Sequence, residues 1–203
     1  NNFYTATVYE KGAEIVRMIA EIVGHTGFRA GMDLYFDRYD GTAATVEQFI
    51  ECFEQATGEN LEQFRLWYSQ AGTPEIDYRL QYDSENRTCE LRVTQKLDAT
   101  QYLPHPRAMH IPLGMALLGV DGQSLTLETD DQDDDLRNGV LHLKQESKSI
   151  RFTDVDVEPV VSIARNFSAP VRVIAEVSDA TLLFLMRHDD DPFNRWEAAQ
   201  NYA

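Results

Sequence analysis

Hydrophobic positions along the chain change period twice. From Ala13 onward, Val16, Ile19, Ala20 and Val23 recur at helical spacing, with Ile15, Met18 and Ile22 widening the stripe until most of the circumference is apolar. Thr7 and Glu10 stand before it with the T-x-x-E spacing of a capping box, and Gly24 is the expected stop. Phe28, Met32, Tyr35 and Phe36 predict a second helix over 28–39. A turn and a T-x-x-Q start at Thr45 to Gln48 open a third, with Val46, Phe49, Ile50 and Phe53 as its stripe and Gly58 at its end. Leu61, Phe64, Trp67 and Tyr68 predict a short fourth helix, closed by Gly72 and Pro74.

Past Pro74 the period falls to two. Ile76, Tyr78, Leu80 and Tyr82 alternate with polar residues, "DSENR" turns, and Cys89, Leu91 and Val93 alternate again, which is a hairpin pattern. Six further short strands are expected in "HIPLGMALLG", "QSLTLET", "GVLHLK", "KSIRFTDV", "PVVSIA" and "PVRVIAEV", with Asp121-Gly122 and Asn138-Gly139 as turn pairs. Up to eight short strands over this stretch suggest a β-sandwich. From Ser178 the helical period returns, with Leu182, Leu183, Leu185 and Met186 on one face and Pro192 opening a last helix, whose pattern is cut at Ala203. The expected fold is therefore α+β in three parts: helices over 1–72, an all-β sandwich over 73–177, and the first helices of a further helical domain over 178–203. A chain so arranged reads as an internal segment of a longer protein.

Composition narrows the partners. The 203 residues carry 34 acidic and 18 basic side chains, a formal charge of −16. Phosphate binding needs clustered Lys and Arg, so nucleic acid is excluded as a partner, and an anionic membrane surface is disfavoured. No apolar run reaches the roughly 20 residues that span a bilayer, and no signal peptide is visible. The remote Cys52 and Cys89 suggest two buried free thiols in a reducing compartment, hence a cytoplasmic location.

Motif chemistry is sparse. The histidines, His25, His105, His110, His142 and His188, form no H-E-x-x-H or H-x-x-E-H pair. There is no G-x-S-x-G and no glycine-rich phosphate loop, and "ETDDQDDDLRNG" lacks the spacing of a calcium loop, leaving a solvated acidic loop. One polar aromatic is suggestively placed. Tyr9 falls in the first turn of the first helix, near the positive end of its dipole. By residue pattern alone, simple packing is the better account of it.

Longer segments change that balance. "NNFYTATVYEKGAEIVRM", "LYFDRYDGTAAT", "FRLWYSQAGTPEI", "HIPL" and "TLLFLMRHDDDPFNRWEAAQ" resemble, in order, the gluzincin M1 aminopeptidases, and within them the bacterial aminopeptidase N branch. The resemblance spans nearly the whole chain. It implies a thermolysin-like catalytic domain whose helical tail is residues 1–72, followed by the sandwich and a helical domain. It also implies zinc as cofactor and, as substrates, peptides with a free amino terminus. On it, Tyr9 of the V-Y-E-K-G motif is the catalytic donor to the oxyanion, and Tyr4 of N-N-F-Y lines the pocket for the substrate's first side chain, with packing a serious competitor for Tyr4. The family's H-E-x-x-H helix, its third zinc-ligating glutamate and its G-x-M-E-N motif have no counterpart here, so this chain is expected to hold no zinc and to be inert alone. The alternative is a non-catalytic sandwich module that binds a peptide or a protein edge. If the elements that would cover the first helix are missing, its bare apolar surface would drive self-association.

Overall fold

The computed structural model describes residues 7–126, 128–129 and 135–203. The chain divides into two compact units, Asn1–Ala71 and Gly72–Ala203.

In the first unit a π-helical turn, Thr7–Lys11, leads into α1 (Gly12–Tyr39), followed by α2 (Val46–Thr57), a 3₁₀ turn (Gln63–Arg65) and α3 (Leu66–Ser69). Thr7 lies inside the π turn instead of flanking it, so the expected helix start moves. Gly24 breaks Gly12–Tyr39 at a kink into two helical segments, the stop that the sequence predicts. Its φ of 69° and ψ of 169° belong to a backbone region essentially reserved for glycine, and the helix resumes at once. The third helix starts as its sequence predicts: Thr45 Oγ1 accepts from Gln48 N at 3.2 Å, and Thr45 N donates to Gln48 Oε1 at 2.9 Å. Gly58 closes it in the left-handed conformation, φ 77°, its N–H donating to the Glu54 carbonyl.

The α1–α2 contact is aromatic and close. Phe28 stacks on Phe53 with ring centroids 5.3 Å apart, Tyr35 meets Phe49 edge-on at 5.0 Å, and Phe49 meets Phe53 at 4.9 Å. Gly31 makes room for this, because a Cβ there would stand 2.2 Å from Phe53 Cδ1. Beyond α2, Glu54 accepts from Leu61 N at 2.9 Å and takes both arms of the Arg65 guanidinium at 2.9 and 2.8 Å. Those bonds hold the Glu54 carboxyl below its usual range. Two predicted faces are narrower than expected: Phe36 and Tyr68 are exposed, whereas Leu61, Phe64 and Trp67 are buried. The first helix is also less bare than its pattern suggests. Ile15, Met18, Ile19 and Ile22 are all buried within the chain.

The second unit is a two-sheet sandwich with two helices against it. One sheet has the order β4-β7-β2-β1-β9 and the other β5-β6-β3-β8. The strands are β1 (Glu75–Asp83), β2 (Thr88–Lys96), β3 (Ile111–Leu118), β4 (Glu128–Thr129), β5 (Leu136–Arg137), β6 (Val140–Leu143), β7 (Ser147–Thr153), β8 (Val160–Ile163) and β9 (Arg172–Val173). The predicted hairpin forms, with Tyr78 opposite Val93 and Leu80 opposite Leu91. Asn138 and Gly139, with φ of 52° and 76°, make the tight turn between β5 and β6, both central residues at the positive φ that a type I′ turn requires. Strand β5 was not expected, and "QSLTLET" and "PVRVIAEV" shrink to pairs of residues in β4 and β9. Part of the acidic run, residues 130–134, lies outside the described residues.

Seven of the eight β3 residues are buried, which leaves no polar face on the strand. Since alternate side chains point to opposite faces, its odd positions, Ile111, Leu113, Met115 and Leu117, face one way and Ala116 and Leu118 the other. Ala116 and Leu118 join Leu182, Leu185 and Ala198 of the two helices, α4 (Asp179–His188) and α5 (Pro192–Tyr202), in a single apolar cluster. Both helices begin as predicted, α4 capped by Ser178 and α5 by Asp191 with Pro192 in its first turn.

The Gly31 contact generates a paired prediction. Gly31→Ala should destabilise the chain by about 1–3 kcal/mol, because Phe53 has to move to admit a methyl group. Gly12→Ala, whose Cβ would meet nothing within 4 Å, should instead raise stability by up to about 1 kcal/mol through helix propensity. Urea unfolding of the two variants against the parent sequence measures both signs.

Candidate active site

Tyr9 stands in the π-helical turn immediately before α1, and its side chain is 59% exposed. Two features of the local sequence put it there. The wide Thr7–Lys11 turn ends where the α-helical ladder begins at Gly12, and the buried Ile15, Met18, Ile19 and Ile22 anchor the helix behind it. Single-turn π segments within helices are rare and frequently occur at functional sites. The axis behind Tyr9 is straight only as far as Gly24, but the dipole acts mainly through the first turn, so the break costs little. Tyr4 lies outside the described residues.

Next to this turn a cleft of about 580 Å³ opens within the first unit. Lys11, Gly12, Ile15 and Val16 form one side of it, and Tyr35, Phe49, Trp67 and Tyr68 are among the side chains opposite. Its lining is mainly apolar, and it holds no serine, cysteine or histidine. The chemistry available at this end of the molecule is that of an exposed tyrosine at the start of a helix, whose phenol is a donor type suited to negative charge developing on an oxygen.

Histidine pairing is a polar feature that spacing did not reveal. His110 and His142, remote in sequence, meet with Nε2 and Nδ1 3.1 Å apart, and each is only 1% exposed. Arg137 Nη2 lies 3.5 Å from His142 Nδ1. Burial, reinforced by the electrostatic influence of His142, Lys144 and Arg137, pushes the His110 imidazole down to about 3. A pair ringed by positive charge is a poor host for a metal cation. Among the described residues no group of three or more His, Cys, Asp or Glu side chains is placed to hold a metal ion. His105 is exposed and apart from this pair. Cys52 and Cys89 are buried free thiols, and desolvation raises both.

Comparison with known proteins assigns the parts. Residues 1–68 match the peptidase family M1 domain, residues 72–176 match a domain of unknown function (DUF3458) with an Ig-like fold, and residues 179–203 match its C-terminal companion (DUF3458_C) of ARM repeats. The chain carries a fragment of a peptidase family M1 domain, and over half of it belongs to the DUF3458 family. Aminopeptidase N of Escherichia coli K12 is 40% identical over 201 residues, 99% of this chain and 23% of that protein. Aminopeptidase N of Caulobacter vibrioides is 41% identical over 203 residues, 100% of this chain and 22% of that protein. A crystal structure of Legionella pneumophila aminopeptidase A in complex with aspartic acid superposes with a TM-score of 0.83 at 30% identity, over 98% of this chain and 21% of that one. The chain thus spans less than a quarter of the length of the curated relatives it matches. The resemblance carried by the sequence motifs is borne out, and so is the mixed fold: helices, then an Ig-like sandwich, then ARM-like helices.

The buried pair makes stability depend on pH. His110 binds its proton with a pKa near 6.5 when unfolded and about 3 when folded. The unfolded chain therefore takes up more protons between those values, and folding weakens as pH falls through that window, by up to about 1.4 kcal/mol per pH unit. Above pH 6.5 the pair contributes in full. Denaturant unfolding of His110→Gln, compared with the parent sequence from pH 7 to pH 4, should show a slope shallower by about one proton.

Proposed function

We propose that this chain serves a zinc-dependent aminopeptidase that removes N-terminal residues from peptides, contributing the tyrosine that stabilises the oxyanion and a sandwich that spaces the catalytic part from a helical domain. In this reading residues 1–72 are the helical tail of the catalytic domain, 73–177 the spacer, and 178–203 the opening of the helical domain. The observation that carries it is Tyr9: an exposed phenol, anchored by a buried helix, beside an apolar cleft in a segment with the M1 sequence.

The proposed chemistry for Tyr9 is electrostatic. Attack on a peptide carbonyl concentrates negative charge on the carbonyl oxygen, and a pre-placed O–H donor favours that charge more than it favours the neutral ground state. The nearby helix start acts in the same sense. Tyr4 is proposed to line the pocket for the substrate's first side chain. The residues described here do not fit zinc, and the sequence holds no H-E-x-x-H motif, so no step proposed for this chain passes through the metal. The substrates proposed are peptides with a free amino terminus. A cytoplasmic location is proposed on the two reduced thiols; no described helix is long and apolar enough to cross a membrane.

Two measurements test the reading. In an aminopeptidase containing this segment, Tyr9→Phe should lower kcat about a hundredfold or more with little change in KM, since one oxyanion donor is worth on the order of 3 kcal/mol. Tyr4→Phe should shift preference among substrates with a small effect on rate. An unimpaired Tyr9→Phe enzyme would remove the role assigned to the phenol. The chain by itself should hydrolyse no aminoacyl amide and retain no stoichiometric zinc after dialysis; chelator-sensitive activity with one bound zinc would contradict this.

A further inference from the structure

The join between the sandwich and the helices α4 and α5 contains a dense polar network. After β8 the chain makes a 3₁₀ turn, Arg165–Phe167, in which Ala164, Asn166 and Phe167 have φ of 56°, 54° and 51°. Non-glycine residues enter this left-handed region at a cost, and three so close together persist only where the surroundings over-determine them. The acidic triplet between α4 and α5 supplies that determination. Asp191 caps α5 with one oxygen, accepting from Asn194 N at 2.9 Å, and with the other accepts from Asn166 N at 2.6 Å. Arg165 spans the other two, its Nη1 3.3 Å from Asp189 and its Nη2 bonded to Asp190.

Ser162 on β8 closes the network. Its hydroxyl donates to Asp189 Oδ2 at 2.6 Å and accepts from Asn194 Nδ2 at 2.8 Å and Arg165 Nη1 at 3.2 Å, which uses its one donor and both acceptor sites. Asn194 Nδ2 also donates to the Ile163 carbonyl at 3.0 Å. The Asp189 side chain is fully buried. Alongside this lies the apolar cluster of Ala116, Leu118, Leu182, Leu185 and Ala198. Apolar contact is non-directional and tolerates sliding; hydrogen bonds with defined donors and acceptors do not.

We propose that Asp189, Asp190 and Asp191, with Arg165, Ser162 and Asn194, form a polar latch that sets the angle of the α4–α5 pair on the sandwich, while the apolar cluster supplies adhesion without a unique angle. The latch defines one orientation because each carboxylate is committed to different partners on the β8 side. Arg165, Ser162 and the triplet are positioning residues in this scheme.

Spin labels at Glu90→Cys on β2 and Gln200→Cys on α5, both exposed positions, report the angle, since Cys52 and Cys89 are buried. The otherwise unchanged chain should give one narrow distance distribution. Combining Ser162→Ala with Asp191→Ala should at least double its width while circular dichroism retains both helix and strand. Leu118→Ala should lower the melting temperature and leave the width unchanged. Arg165→Lys, which keeps the charge and loses the forked reach to Asp189 and Asp190, should broaden the distribution to a smaller extent and covers the case in which the double variant unfolds. An unchanged width in the folded double variant, an unchanged width in Arg165→Lys, or equal broadening by Leu118→Ala would overturn the proposal.

Discussion

Strand β3 is the constraint on which the second unit depends. It lies in the middle of its sheet, paired with β6 along its first half and β8 along its second. Its side chains are committed in both directions, the odd positions to one face and Ala116 and Leu118 to the helices. A one-residue slip in register would exchange those two sets and put both faces out of fit. Pairing, the sheet's core and the helix contact therefore stand or fall with one strand, which explains why its sequence is almost continuously apolar where β2 of the other sheet alternates.

The first unit solves a similar problem with aromatic rings and a glycine. Phe28, Tyr35, Phe49 and Phe53 need the two helices close together, and Gly31 gives the space by having no side chain. The Glu54–Arg65 pair then ties the following turn back to α2 through a forked, part-buried contact. Those contacts hold a scaffold from which Tyr9 projects. The proposed catalytic role asks little of Tyr9 itself and much of its support, because a donor aimed at developing charge is useful only if it does not have to be reorganised during the reaction.

Buried polar groups are accommodated in three ways. Burial beside His142 keeps the His110 imidazole neutral, an arrangement that holds only while no proton is forced on it. Gln95 is a quieter case: its amide bonds Met109 from both ends and reaches the Gln145 carbonyl, fastening the long connection before β3 to the sheet. The acidic triplet after α4 differs from both, since its charge is compensated by Arg165 and its geometry is distributed over two elements.

Much of the architecture was legible from local rules. Thr45, Gly58, Ser178 and Pro192 mark helix ends because capping and φ preferences act within a few residues, and the Asn138-Gly139 turn follows for the same reason. The motifs around Tyr9 identified the family, since they are contiguous strings. Tertiary structure alone decided the rest. That Phe36 and Tyr68 turn outward while Ile15, Met18, Ile19 and Ile22 are buried, and that β9 keeps only two paired residues, depends on what packs alongside. The same holds for His110 with His142 and for Ser162 with Asp189: each pair is remote along the chain, and periodicity records the face a residue occupies but not the partner that face will meet.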